Sequence, residues 1–403
     1  MTVLGEFVGH TALLLILIGI AAYLLIEWQY SQRPGNDLEL SATDWNLDTY
    51  ENNHYAISLD TVFTNRTRTL EIFIPEIKVE YQLLSGGSLA DIHVKTQFIP
   101  QHEDFPARPD NYWFAYIVKV GKTTQAQLKV DITGTDLSHL KSLWLQVHYI
   151  TYGPEGRIPK TAHLIIPLKF PKPEAANNWR ENSVAKVLPV PTHLLTNLDD
   201  TVEIIKHYVK PIAQAGDIVT IGETPVAIMQ NRLRHPNTVK PGWLAKRLCY
   251  YFMPTSSLAT ACGMQTLIEI SGPWQVASAF LIGAVAKIFG KPGMFYQLAG
   301  EQARLIDDVT GTLPPFDQFI VLGPEHSQRL VDRIFQETGL KAAIVDVNDL
   351  KAVKILAATA GTDQTMLTSA LLDNPAGNAD EQTPVVLIRP KVQPSVQPSV
   401  QPS

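Results

Sequence analysis

Between residues 45 and 171 apolar and polar side chains alternate, and this period of two constrains the fold more than any other feature of the chain. Ile77, Val79, Tyr81 and Leu83 are separated by Lys78, Glu80 and Gln82. Leu128, Val130 and Ile132 enclose Lys129 and Asp131, and Leu143, Leu145, Val147 and Tyr149 run past Gln146 and His148. Successive side chains of a strand point to opposite faces, so each run reads as a half-buried strand. Ser85-Gly86-Gly87, Gly134-Thr135-Asp136 and Gly153-Pro154 supply the turns. With about seven short strands and no helical period, an all-β, sandwich-like domain is expected, immunoglobulin-like in general shape. It holds no catalytic constellation, so spacing or binding of a protein partner is its expected role. Gly121-Lys122-Thr123 mimics the end of a phosphate-binding loop. The first glycine of that motif would fall on Tyr116, however, and no helix follows, so a hairpin turn is the reading there.

The amino terminus has another character. Phe7 to Ile26 is an apolar run broken only by His10 and Thr11 near its start. As a helix it would be about 30 Å long, the thickness of a bilayer's hydrocarbon core. Trp28 and Tyr30 follow, aromatics that favour the interface. No basic residue precedes the run and no small-x-small cleavage site follows it, so residues 1–30 are expected to be an uncleaved transmembrane anchor. Arg33 after the run, with no cation before it, places the soluble body on the cytoplasmic side of a single-pass membrane protein. Asn65-Arg66-Thr67 is a formal glycosylation sequon without meaning in that compartment. The net charge of −6 argues against a nucleic-acid partner. Cys249 and Cys262 lack metal-site or disulfide spacing and read as reduced thiols.

A connector at 172–191, marked by Pro171 at its edge and by Pro173, Pro189 and Pro191, leads to a second globular region, 192–390, that mixes helices and strands. Asp200 to Val209 reads as a helix and Asp217 to Ile221 as a strand. Val276 to Ala286 is too short to span a bilayer and reads as a buried helix. Gln328 to Thr338 is an amphipathic helix stopped by Gly339. A strand, Ala342 to Val345, then runs into Asp346, Asn348 and Asp349. Oxygen ligands at a strand end suit Mg²⁺ or Mn²⁺, and they fall where α/β sheets bind ligands. Asp199-Asp200, Asp307-Asp308 and Asp380-Glu381 are further paired carboxylates, with helix capping as the alternative role, which fits Asp199. Arg232, Arg234, Lys240, Lys246 and Arg247 form a basic segment that suits phosphates, or anionic lipid headgroups beside a membrane anchor, or simply solvent. The chain closes on three copies of Val-Gln-Pro-Ser, so 391–403 is expected to be a disordered tail.

Several segments of this second region resemble the coenzyme F420-0:gamma-glutamyl ligases. Leu198-Asp199-Asp200 through Gly216-Asp217-Ile218-Val219 is similar to their amino-terminal segment, and Ile344 to Asp349 to their strand ending in Asp-x-Asn. Phe295-Tyr296, Ala299-Gly300-Glu301, Pro314-Pro315, Leu322-Gly323-Pro324, Asn374 to Asn378 and Glu381 to Arg389 follow in family order. The resemblance covers about 190–390. It implies an α+β ligase-like domain, usually a homodimer, that joins glutamate through its amine to a carboxylate acceptor on a deazaflavin precursor. It also implies GTP as co-substrate and Mg²⁺ or Mn²⁺ as cofactor. Asp199, Asp200, Arg232 and Arg234 would then serve substrate and nucleotide, and Asp346, Asn348 and Asp349 the metal; no catalytic residue is assigned. The ligases carry Ser-Lys-Ala-Glu-Gly-Arg where this chain has Ala227 to Arg232, and Ala-Gly-Ile-Asp where it has Cys262 to Gln265. Ile228, Gln230 and Gln265 therefore replace charged groups, with Glu269 one turn later as a substitute carboxylate. A catalytically altered relative, binding a ligand or assembling partners at the membrane, is the alternative to an active ligase.

Overall fold

The computed structural model describes residues 2–32, 36–153, 156–173, 178–253, 256–291, 293–306, 313–347, 351–377 and 381–391. Helix α1 covers Thr2–Gln32. From Ala12 to Gln29 its side chains are exposed, and this stretch is apolar and long enough to cross a membrane.

Nine strands follow among the described residues: β1 (Leu38–Glu51), β2 (His54–Asn65), β3 (Ile72–Ile74), β4 (Glu76–Ser85), β5 (His93–Gln101), β6 (Tyr116–Val118), β7 (Thr123–Thr133), β8 (Leu140–Gly153) and β9 (Gly156–Pro167). They form a four-stranded antiparallel sheet in the order β1-β2-β7-β5, a three-stranded sheet β4-β8-β9, and a small β3-β6 pair. The alternation does what period two requires. Leu128, Val130 and Ile132 of β7 and Leu143, Leu145 and Val147 of β8 share one buried core. Leu38 and Leu40 join that core, so β1 starts seven residues before the alternating segment recognised in the sequence. Gly121, at φ +63°, does form a turn, but it joins β6 to β7, which pair with other strands, so it is not a hairpin. Asn65 of the sequon is buried. Its amide donates to the carbonyls of Leu70 (2.8 Å) and Val118 (3.0 Å), and its oxygen accepts from Thr67.

The second region contains β10 (Arg180–Glu181), β11 (Ala185–Val190), α2 (Thr201–Tyr208), β12 (Ile218–Gly222), α3 (Glu223–Met229), β13 (Leu233–Arg234), α4 (Trp243–Leu248), α5 (Ala261–Ser271) and α6 (Pro273–Ile288). It continues with α7 (Met294–Leu298), α8 (Gln302–Leu305), β14 (Ile320–Val321), α9 (Ser327–Thr338), β15 (Lys341–Val347), β16 (Val353–Ala358), α10 (Gln364–Leu371) and β17 (Val385–Pro390). A six-stranded sheet runs β10-β11-β17-β12-β15-β16, and β12 and β15 are its parallel pair. Helices α2 and α9 cover one face and α10 the other. Gly339, at φ +74°, closes α9 as its sequence position predicts.

Two further expectations differ from the structure. Residues 180–190, assigned to the connector on their prolines, are strands of this sheet. Pro189 is tolerated because β10 is two residues long and pairs only with Lys186 and Val187, so no neighbour needs the missing amide hydrogen. Helix α6 is not buried: only Val276 and Ala279 are enclosed, while Trp274, Leu281, Ile282, Val285 and Ile288 face outward. Gly283 lets this helix lie directly on α7, because a Cβ there would come within 3.0 Å of the Phe295 backbone. The expected carboxy-terminal tail, 392–403, lies outside the described residues.

The two regions meet at a closed apolar cluster of Trp144 and Ile165 with Leu194, Ala227, Ile228, Phe316, Phe319 and Val321. The rings of His163 and His235 stack across it, 4.5 Å apart at 20°.

Candidate functional site

The carboxyl ends of the parallel strands β12 and β15 open into a cleft of about 540 Å³. Gly222 is paired with Val345 at this edge, which sets Glu223 and Asp346, the next residues along, on the same rim. The entry of antiparallel β17 brings Gln382, Thr383 and Pro384 to the same end. Main-chain groups left unpaired where strands stop, with side chains from several strands converging, make this edge the usual ligand site of such sheets. Arg304, His193, Thr192 and Thr224 complete the polar wall. The tight turn beneath it takes Gly377 at φ +67°, a left-handed conformation that residues with a Cβ rarely adopt.

His193 is held on both sides. Its Nδ1 lies 2.8 Å from the Tyr208 hydroxyl and its Nε2 2.9 Å from Asp199 Oδ1. Asp199 Oδ2 also accepts from the Thr196 amide at 2.7 Å. Asp199 thus fixes the ring from behind the cleft, and it is Asp200, not Asp199, that caps α2, accepting from the amides of Val202 and Glu203. Asp200 also binds Arg333 at 2.8 Å.

Arg232 and Arg234 lie elsewhere, on a second cleft of about 600 Å³ with Gln230, Glu325, Arg329 and Arg333. Arg232 pairs with Glu325 and donates to Gly323 O (2.6 Å), and Arg234 pairs with Glu269. Gln230 clasps the Glu325 backbone through both ends of its amide (2.9 and 2.7 Å). Gln265 bridges the Gly242 amide and Glu269, each at 3.0 Å. The sequence candidates therefore divide: Asp346 lines the strand-end cleft, Asp199 backs it, and Asp200, Arg232 and Arg234 do not line it. Asn348, Asp349, Asp307, Asp308 and Asp380 lie outside the described residues. Among those described, no three His, Cys, Asp or Glu residues are grouped to hold a metal.

Glu223, Arg304 and His193 were not singled out in the sequence. For Glu223 there was a signal, since it is the first residue after a buried strand ends in Gly222. Ile228 lies both on the cleft wall and in the cluster against Trp144, so its apolar side chain serves the contact between the two regions.

Comparison with known proteins now bears on the amino-terminal half. Residues 39–170 match the family model of the F420-0:gamma-glutamyl ligase N-terminal Ig-like domain. The nine strands form an Ig-like domain, and the match suggests a gamma-glutamyl ligase relative. It spans about a third of the chain. No curated protein matches the chain. Among solved structures, the GAE domain of GGA2p from Saccharomyces cerevisiae is 14% identical over 34% of this chain and 95% of its own, with a TM-score of 0.20. A FixG-related protein from Vibrio parahaemolyticus is 10% identical over 32% and 94%, with a TM-score of 0.17. A family 123 glycoside hydrolase from Clostridium perfringens is 9% identical over 34% and 29%, with a TM-score of 0.18.

Proposed function

We propose that the chain is a membrane-tethered gamma-glutamyl ligase relative, which adds glutamate to a carboxylate acceptor using GTP and a divalent metal at the strand-end cleft. The observation that carries this reading is the match of residues 39–170 to an Ig-like domain of that ligase family. The composition of the cleft supports it. Asp346 and Glu223 are hard oxygen donors on one rim, and Mg²⁺ is commonly held by one or two carboxylates together with substrate phosphates. A divalent ion held there would neutralise triphosphate charge.

The chemistry runs in two steps. The terminal phosphoryl group of GTP passes to an acceptor carboxylate oxygen, leaving GDP. The glutamate amine then attacks the acyl carbon, the bond from that carbon to the phosphate oxygen breaks, phosphate leaves, and the nitrogen gives up a proton as the amide forms. Arg304 suits the phosphate or carboxylate anions of these substrates. His193, with Tyr208 on one ring nitrogen and Asp199 on the other, is a fixed wall that orients substrate rather than a free base. Helix α1 anchors the body to the membrane, with the body in the cytoplasm, and the working form is a homodimer. The second reading, a relative that binds without turnover, is favoured by the engagement of Arg232 and Arg234 with carboxylates on a different cleft.

The full-length protein with GTP, Mn²⁺, glutamate and a deazaflavin acceptor bearing a carboxylate should release phosphate, and only when both glutamate and acceptor are present. Nucleotide binding without release supports the second reading. Absence of both ends the ligase proposal.

A further inference from the structure

The largest unexplained feature outside the clefts is an apolar face on the helical part of the second region. Trp274, Ile288 and Phe289 on α6 and the turn after it are 87%, 83% and 78% exposed, and Trp243, Tyr250 and Leu281 are more than half exposed. These residues form a connected surface. The Tyr251 ring lies 5.3 Å from Phe280 of α6, and α4 packs against α6. Helices α5 and α6 together are apolar enough to cross a bilayer, but the chain bends by 114° between them. The bend and the docking of α5 into its own core leave α6 lying across the surface. A helix apolar on all sides needs cover on all sides, and α6 has it on one.

The charge around this face is one-sided. Between residues 240 and 291 there are five cations, Lys240, Lys246, Arg247, Lys287 and Lys291, and one carboxylate, Glu269, in a chain whose net charge is −6. All five cations are exposed and none has an ion-pair partner among the described residues, whereas Glu269 is taken by Arg234. Exposed apolar and aromatic side chains in a segment whose cations lack carboxylate partners, with Arg247 lying over the exposed Trp243 ring at 5.8 Å, match the boundary between acyl chains and anionic headgroups. The apolar helix α1 is at hand, because only five residues separate Gln32 from Leu38. At the extended limit these reach about 20 Å, so an inserted α1 keeps the body near the bilayer.

We propose that the face built by α4, the turn at Tyr250 and α6 seats on an anionic membrane surface, so that the second region is held to the bilayer as a monotopic body as well as through α1. This goes beyond the ligase reading and does not depend on it. Seating buries the outer side of α6 among acyl chains while Lys246, Arg247, Lys287 and Lys291 meet phosphate groups.

The test uses the full-length chain carrying Cys249→Ser and Cys262→Ser, reconstituted in phosphatidylcholine vesicles with and without phosphatidylglycerol. An environment-sensitive fluorophore is placed at Ile288→Cys, at Leu17→Cys in α1, or at Asp110→Cys on the exposed surface of the Ig-like domain. With phosphatidylglycerol, the label at 288 should shift to an apolar spectrum and be quenched by nitroxide lipids, while the label at 110 stays aqueous. Replacing Arg247, Lys287 and Lys291 by Gln should lower the docked-to-undocked ratio roughly fivefold per cation. A label at 288 that remains aqueous while the one at 17 is quenched overturns the proposal and leaves the anchor standing. Quenching at 288 without quenching at 17 upholds the seating of this face and overturns the part of the proposal that holds the body through α1. A spectral change at 288 that needs no lipid and tracks protein concentration in detergent assigns the face to a second copy and overturns the proposal.

Discussion

The Ig-like region and the segment from Trp243 to Phe289 are both rich in large apolar side chains, and the chain uses them in opposite ways. In the Ig-like region alternate residues of β7 and β8 turn into one buried core, against which Ile77, Val79 and Leu83 of β4 are partly buried while Tyr81 stays exposed. In the helical segment apolar residues surround α6 without a polar side, and only one side is enclosed. Periodicity, not the amount of apolar surface, decides whether a segment can satisfy itself within one domain.

Matched truncations sharpen that contrast. Phe63 is fully buried against Phe98, Trp113 and Tyr149, so Phe63→Ala should cost about 3–5 kcal/mol, read by hydrogen exchange of the Ig-like strands. Asp217→Ala should cost a comparable amount, roughly 3–5 kcal/mol, in the six-stranded sheet. It would strand Arg389, whose guanidinium donates to both oxygens of the buried Asp217 at 2.9 and 2.8 Å. Asn65→Ala should cost about 1–3 kcal/mol, because buried carbonyls lose their donor. Phe289→Ser, at the far end of the comparison, should stay within about 0.5 kcal/mol in lipid-free protein. A cost equal to that of Phe63→Ala would mean that the outer side of α6 is already covered.

The junction between the regions adds a pH dependence. Burial, with smaller contributions from His235 and His148, pushes His163 down to about 4 from an ordinary 6.5. Its Nδ1 accepts from Trp144 Nε1 at 3.2 Å. The unfolded chain binds this proton first as pH falls. The stabilising contribution is therefore whole above pH 6.5 and is lost as pH drops from 6.5 towards 4. Denaturation midpoints at neutral and mildly acid pH should diverge, and His163→Leu should reduce the divergence. An unchanged divergence would locate the titrating group elsewhere.

Much of this arrangement could be read from the residues. The alternating runs gave the Ig-like strands, Gly339 gave the end of α9, and the apolar run through Asp346 gave the strand edge where the cleft opens. The failures have physical causes. Trp144 sits on the polar face of β8, and only a partner surface explains an apolar residue there. Leu164-Ile165-Ile166 likewise marks a strand covered on both faces. Asp199 and Asp200 are indistinguishable by composition, and it is the helix start that makes Asp200 the cap. The length of α6 argues against a span, but length cannot tell burial in protein from exposure on a surface.

The central claim is that the strand-end cleft, and not the arginine-lined one, takes the metal–nucleotide complex. Electron paramagnetic resonance of Mn²⁺ titrated into the full-length protein with GTP tests it directly. Asp346→Ala should weaken binding at least about tenfold, while Asp200→Asn, which keeps the cap of α2, should leave it unchanged. Unaltered Mn²⁺ affinity in Asp346→Ala would contradict the account.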